Sequence, residues 1–432
     1  MTQTNSGLAP EQLFANALTA HQQGDIQQAE YLYREVLRGQ PAHAGALNML
    51  GLIGIQSGNL GAGAMLIERA LAIEPENADF LNNFAMACLQ QQRVELALEH
   101  FVKAVKQRPR FAEAHFNLAN CYLGLARHSD AEKHYRKALK IRPDYVDALN
   151  NLGNLLRQMG KPHDASKLLF RLSRLAPDFA QGSLNYALAL QACGRINEAL
   201  TVFERARTLA ADDSDVLLAY GRCLRLSGDL PAAIAQFEAL GDTDPNHVAA
   251  WDELGITHYA LNHVEAARGC FERGVALAPK SSRLLDNLGM CLQAQGEDRQ
   301  ANQLFLDAIS LDAGFGPSYK SLAYANAQGE GAQEWIEKIN AALSSPRMAP
   351  QYEADMYFAL GKFNDELSRF DEAFAAYRKA NDLRRNGAAF DGDAQSRFID
   401  AVIANGSRER LVELGHDDLA QKSRSLFIIG MP

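Results

Sequence analysis

Five asparagines stand where a polypeptide-binding chemistry could be built. Asn83, Asn117, Asn151 and Asn185 follow one another at intervals of 34 residues, and Asn287 falls on the same count three intervals later. A side-chain amide offers both donors and an acceptor, so a row of amides can bond the main chain of a bound peptide whatever its sequence. Met49, Ala219, Glu253 and Ser321 interrupt the row, which is therefore partial. The same spacing also fits a purely internal role, in which the amides cap or bridge neighbouring helices. Other chemistry finds less support. Asp242, Asp244, Asn246 and Glu253 have calcium-loop spacing, but His247 replaces the glycine that the sharp turn needs. His258 and His263 are five apart, off one helix face, which does not suit a zinc pair. Gly61 and Gly63 lack a preceding strand and read as an inter-helix turn. No catalytic residue and no metal site is expected.

The amides belong to a longer clock. Pro41, Pro75, Pro109, Pro143, Pro177, Pro245 and Pro279 lie on one 34-residue phase. A small residue recurs on it (Gly51, Ala85, Ala119, Gly153, Ala187, Gly221, Gly255, Gly289), and so does a large apolar one (Tyr33, Ile67, Phe101, Tyr135, Leu169, Phe203, Phe237, Phe271, Phe305). Leu149, Leu152, Leu155 and Leu156 show helical spacing, Gly160 ends that helix, and Ala165 to Leu172 begin the next pattern, which Pro177 stops. Each period thus reads as two helices, with small residues for close approach of their axes and stacking as the source of stability.

Composition restricts the function classes. The chain has 432 residues, 43 Lys+Arg and 52 Asp+Glu, for a formal charge of −9, and no basic block. A nucleic-acid partner is set aside, because that affinity rests on clustered Lys and Arg. No apolar stretch is long enough for a membrane span, and the N-terminus lacks the basic and apolar regions of a signal peptide. The six scattered cysteines fit reduced, buried thiols, and a cytoplasmic location is expected.

The 34-residue pattern resembles the tetratricopeptide repeat. That resemblance implies an all-α solenoid, a right-handed superhelix of about eleven helix hairpins, whose concave groove holds a polypeptide. The expected divisions are a tail at 1–9, nine regular units over 10–315, a degenerate unit and break over 316–353, a last unit at 354–387, a helical spacer at 388–424 and a strand at 425–432. The asparagine row resembles the ladder in the repeat domain of O-linked N-acetylglucosamine transferases. The carboxylate clamp of chaperone-binding repeats is disfavoured, since Asp79, Glu113, Asp147 and Asp215 hold the corresponding groove positions.

The final run Ser425-Leu-Phe-Ile-Ile-Gly-Met-Pro432 is strand-like text, apolar and β-branched, closed by glycine. Phe427 to Pro432 resembles the first strand of the sulfotransferase domain. The preceding order, Phe358 to Lys362, Arg369 to Ala373 and Tyr377 to Asn381, resembles bacterial proteins that join tetratricopeptide repeats to a sulfotransferase. This resemblance implies an incomplete α/β domain. Gly430, Met431 and Pro432 would open the loop that grips 3′-phosphoadenosine 5′-phosphosulfate (PAPS), the sulfuryl donor of the parent protein. It also implies transfer to a hydroxyl of a protein or glycan, with this chain itself non-catalytic and without cofactor. A free-standing protein-binding scaffold and the repeat domain of an O-linked glycosyltransferase are the alternatives.

Overall fold

A computed structural model describes residues 9–325, 331–345 and 349–385. Among these residues all regular structure is helical, as the 34-residue clock predicts; the strand expected at 425–432 and the spacer at 388–424 lie outside them.

The chain divides into two units, Met1–Thr257 and His258–Pro432. The first holds α1 (Pro10–Gln22), α2 (Ile26–Gly39), α3 (Ala44–Gln56), α4 (Leu60–Ile73), α5 (Ala78–Gln90), α6 (Val94–Gln107), α7 (Ala112–Gly124), α8 (His128–Ile141), α9 (Val146–Gln158), α10 (Pro162–Leu175), α11 (Ala180–Ala192), α12 (Ile196–Leu209), α13 (Ser214–Ser227) and α14 (Leu230–Thr243). Next comes α15 (Val248–Ala260). The second unit continues with α16 (Val264–Leu277), α17 (Ser282–Ala294), α18 (Asp298–Leu311), α19 (Gly316–Ala325), α20 (Ala332–Leu343), a 3₁₀ turn at Pro350–Tyr352, α21 (Glu353–Glu366) and α22 (Phe370–Arg385).

The period has a simple anatomy. A first helix of 13 residues and a second of 14, as in α9 and α10, are separated by short links. From α1 to α14 each odd-numbered helix pairs with the next even-numbered one, and α17 with α18 and α21 with α22 do the same in the second unit. The tight link inside a hairpin needs one residue in the left-handed region. That residue is Gly at 24, 58, 160, 194, 228 and 296, but Gln92, Ala126, Asn262 and Ser368 take the same conformation with φ of 54–60°. Glycine adopts it without a Cβ clash; at the other four the same backbone bonds close the turn, as from Arg93 N–H to Cys88 O and from Arg127 N–H to Tyr122 O.

Inside each hairpin the small residue of the first helix lies under the large residue of the second. A Cβ on Gly153 would fall 2.5 Å from Leu169 Cγ, and one on Gly221 or Gly289 equally close to Phe237 or Phe305. The large residues are buried as a set: Tyr33, Phe101, Tyr135, Phe203, Phe237 and Phe305. The ring therefore fills its own hairpin, while stacking covers the hairpin's sides. Gly61 and Gly63 do not make a turn. They open α4, where Gly63 backs onto Gly51 so closely that a Cβ would reach Gly51 O at 2.6 Å.

The phase slips after α19. Gly316 lies under the 3₁₀ turn, where a Cβ would meet Tyr352 O at 2.3 Å, and Phe315 meets Tyr352 edge-on at 4.9 Å. Helix α21 then packs against both α19 and α20.

Candidate functional site

The predicted asparagines sit in the middle of the first helices: Asn83 on α5, Asn117 on α7, Asn151 on α9, Asn185 on α11 and Asn287 on α17. The first four do one thing in common. Each donates its side-chain N–H to another asparagine on the preceding first helix: Asn83 to Asn48 (3.1 Å), Asn117 to Asn82 (3.0 Å), Asn151 to Asn120 (3.1 Å) and Asn185 to Asn150 (2.8 Å). Sequence reasoning missed the accepting residues. Their signal was the doublets Asn82-Asn83 and Asn150-Asn151, in which one residue accepts from the next unit while the other donates to the previous one. Within the second doublet, Asn150 also donates to Asn151 at 3.3 Å. Asn120 collects two donors, Asn151 and the hydroxyl of the buried Tyr135.

These bonds brace the stack, and they leave capacity over. An amide has two N–H groups and a carbonyl oxygen. The Oδ1 of Asn117 and of Asn185 accepts no hydrogen bond among the described residues, and Asn83, Asn117 and Asn151 are only half-buried. The face therefore presents spaced amide groups already fixed in orientation.

Charges around it are tied down in the same register. Arg108 grips Asp79 with both guanidinium arms and lies over the Phe111 ring at 4.6 Å. Arg142 grips Glu113 and lies over Tyr145 at 4.7 Å. Hydrogen bonds to their acid partners raise these arginine pKa values by more than burial lowers them. Asp79 and Glu113 are thus neutralised from the end of the second helix of their own hairpin and repel an incoming carboxylate less than the sequence alone suggests.

Beyond Asn185 the rungs change character. Glu253, which interrupts the asparagine row, is buried and accepts from Arg222 Nε (2.7 Å) and Arg225 Nη2 (3.2 Å). In the second unit Asp286, one residue before Asn287, accepts from Ser318 Oγ at 2.9 Å and also from Ser321. Burial outweighs those hydrogen bonds and pushes the Asp286 carboxyl up to about 6. Asn287 and Asp286 share a pocket of about 490 Å³ with Arg283, Lys320, Tyr324 and Asp355. Lys320 (3.2 Å) and Arg384 (2.8 Å) both pair with Asp355 there. The pocket can hydrogen-bond a polar chain and offers both signs of charge.

No group of three or more His, Cys, Asp or Glu side chains among the described residues is arranged to hold a metal ion. Burial pushes the Cys223 thiol up to about 11 and the Cys291 thiol up to about 12, so these two stay protonated at neutral pH. Gly430, Met431 and Pro432 lie outside the described residues. No helix among the described residues is long and apolar enough to cross a membrane.

Sequence patterns of the tetratricopeptide repeat match residues 14–109, 112–255 and 354–386 in overlapping blocks. The human protein named Protein O-mannosyl-transferase TMTC1 is 24% identical over 135 residues, which is 31% of this chain and only 15% of that protein. Among solved structures, pilF of Pseudomonas aeruginosa matches 49% of this chain and 96% of its own at 22% identity and a TM-score of 0.44. YrrB, described as a tetratricopeptide-repeat protein with an unusual peptide-binding site, matches 51% and 97% at 22% identity and a TM-score of 0.34. MamA matches 40% and 94% at 18% identity and a TM-score of 0.34.

Proposed function

We propose, for a chain that belongs to the tetratricopeptide-repeat family, that it is a protein-interaction scaffold whose first-helix face between α5 and α11 holds an extended polypeptide by its main chain. The observation that carries this is the row of asparagines, oriented by their bonds to the previous unit yet with acceptor capacity left at Asn117 and Asn185. Groups held in place before binding cost less ordering entropy when the ligand arrives.

Because the same asparagines brace the stack, the test needs two variants. One replaces Asn117, Asn151 and Asn185 by Ala. The other replaces only Asn82 and Asn150, which removes acceptors of the brace while leaving those three in place. The probe is a labelled peptide selected on the wild-type chain from a random-peptide library, read by fluorescence anisotropy. Loss of binding in the first variant is expected, with a clearly smaller loss in the second, which keeps the three amides but removes what orients Asn117 and Asn185. Equal loss in both, or no loss in either, overturns the reading.

A finer reading concerns the protein of which this face would be a part. Phe427 to Pro432 resembles the opening strand of a sulfotransferase, which favours an arm presenting polypeptide hydroxyls to a domain that uses PAPS. In that reading Gly430, Met431 and Pro432 begin the donor loop. The match to a protein named an O-mannosyl-transferase favours instead an arm serving glycosyl transfer. Mass spectrometry of a polypeptide acceptor incubated with the full-length gene product and PAPS discriminates: sulfate on a hydroxyl supports the former reading, and hexose transferred from a sugar donor with no sulfate supports the latter.

A further inference from the structure

The second helices of the first unit carry a feature that the asparagine face does not involve. Residues of α6, α7, α8 and the loop before α7 enclose a cleft of about 680 Å³, within the size range of sites that bury a ligand. Val102, Val105 and Ile141 supply its apolar wall. Lys106, Arg110, Lys137 and Lys140 stand exposed around it, and no carboxylate lines it. His115 closes it from beneath, buried, with Nε2 3.1 Å from Pro109 O and Nδ1 3.0 Å from His134 Nδ1.

Several neighbouring cations are paired instead. Lys103 pairs with Glu99, Arg136 with Glu132, and Arg142 with Glu113. The four cations of the cleft form no ion pair among the described residues, although the chain as a whole carries a net charge of −9. Like charges gathered without counter-charges repel one another and disfavour the fold unless something else is gained. An anionic ligand removes that cost.

We propose that this cleft docks an acidic polypeptide segment bearing a large apolar anchor. The apolar wall rewards burial of one aliphatic or aromatic side chain, at about 25 cal/mol per Å² removed from water. The cations select flanking Asp and Glu and speed encounter with them. A nucleic acid fits less well, because no Phe, Tyr or Trp lines the cleft for bases to stack on, and the His115 ring is buried beneath it. A membrane surface fits less well because the apolar residues line a recess rather than one face of an amphipathic helix. This reading is independent of the asparagine face.

The test uses the whole chain and a labelled peptide in which Leu-Phe is flanked on each side by Glu and Asp. Anisotropy should show saturable binding that weakens with added salt, and weakens about tenfold in the Lys137→Glu/Lys140→Glu variant. Lys137→Gln/Lys140→Gln should lie between. Exchanging Leu-Phe for Ser-Ser in the peptide should also weaken binding, while Asn117→Ala/Asn151→Ala/Asn185→Ala should leave it unchanged, which separates this site from the first-helix face. Circular dichroism checks that the exposed substitutions preserve helix content. No binding, affinity unmoved by charge reversal, or equal affinity for the Ser-Ser peptide overturns the proposal. So does a preference for a single-stranded oligonucleotide or for phosphatidylserine vesicles over the peptide. Self-association abolished by the charge reversal would assign the cleft to a second copy of this chain and equally overturn it.

Discussion

The first-helix face of the first unit and that of the second solve one problem with different chemistry. Both must satisfy polar groups where successive first helices meet. Between α3 and α11 the rungs are neutral amides, Asn to Asn, at 2.8–3.1 Å. In the second unit the rung is a buried carboxylate, Asp286, fed by two serines, beside the Lys320–Asp355–Arg384 cluster. A neutral rung is indifferent to pH and salt. A buried carboxylate costs desolvation whenever it is ionised. One protein thus contains a brace that is insensitive to its medium and another that is tuned by it.

The largest expected effect breaks that contrast at its charged end. At neutral and higher pH folding has to bury an Asp286 that is already ionised, in a site where its pKa is about 6 rather than the ordinary 3.8. Such a raised group favours folding only at low pH, and that advantage is lost as pH rises through about 6. Asp286→Asn should therefore stabilise the second unit by about 2 kcal/mol near pH 8, and by almost nothing near pH 4. Thermal melts across that range read the difference; a pH-independent shift would contradict it.

At the neutral end, Asn150→Ala removes the acceptor for Asn185, which is buried. We expect a loss of about 1–2 kcal/mol, the cost of a stranded buried N–H, equal at pH 5 and pH 8 in denaturant titrations. A pH-dependent loss would erase the distinction between the two kinds of rung.

The first unit has its own pH response, of opposite sign and away from the rungs. Burial lowers His134 to about 4 and also lowers His115. Pro109 O fixes the proton on His115 Nε2, so His134 Nδ1 donates to His115 Nδ1, and the pair is neutral. A depressed imidazole contributes stability that is present above pH 6.5 and lost as pH falls toward 4. Discounted for the partial exposure of His134, the loss by pH 5 is about 1 kcal/mol. Hydrogen exchange resolved by segment should show α7 and α8 loosening on acidification while α17 and α19 tighten. His134→Leu should flatten the response of α7 and α8.

The smallest effect concerns what both regions share, the left-handed residue inside a hairpin. Ala126 in the first unit and Ser368 in the second occupy it with φ of 54° and 58°. Glycine in either place should stabilise by about 0.5 kcal/mol, after the entropy glycine loses on folding is set against the relieved strain. Melting temperatures of Ala126→Gly and Ser368→Gly give the comparison, and a lower value for either would show that the local packing rather than φ governs the turn.

Much of this was legible from residue spacing. A 34-residue clock with small and large columns leaves little choice but paired helices, because a column of Gly and Ala opposite a column of rings makes sense only where two helix axes come close. The asparagine row was also visible. Its partners were harder to see, for a physical reason: Asn48, Asn82 and Asn150 share one column but Phe116 breaks it and Asn120 substitutes off it, and a bond between side chains on adjacent helices depends on rotamers that spacing does not reveal. The pairing of Asp79 with Arg108 and of Glu113 with Arg142 escaped for the same reason, since residues 29 apart meet only once the two helices of their hairpin have packed together. Gly61 and Gly63 misled because glycine marks close contact as well as turns.

The sequence by itself determined the repeat, its two-helix content and the residues that must be small, since these follow from local periodicity and from how much space a hairpin leaves. Tertiary structure alone decided which polar groups find each other across units and which carboxylate is left ionising in a dry place. It also decided where four cations gather without a counter-charge. Charge energies depend on distance and on water, and neither is fixed until the helices pack.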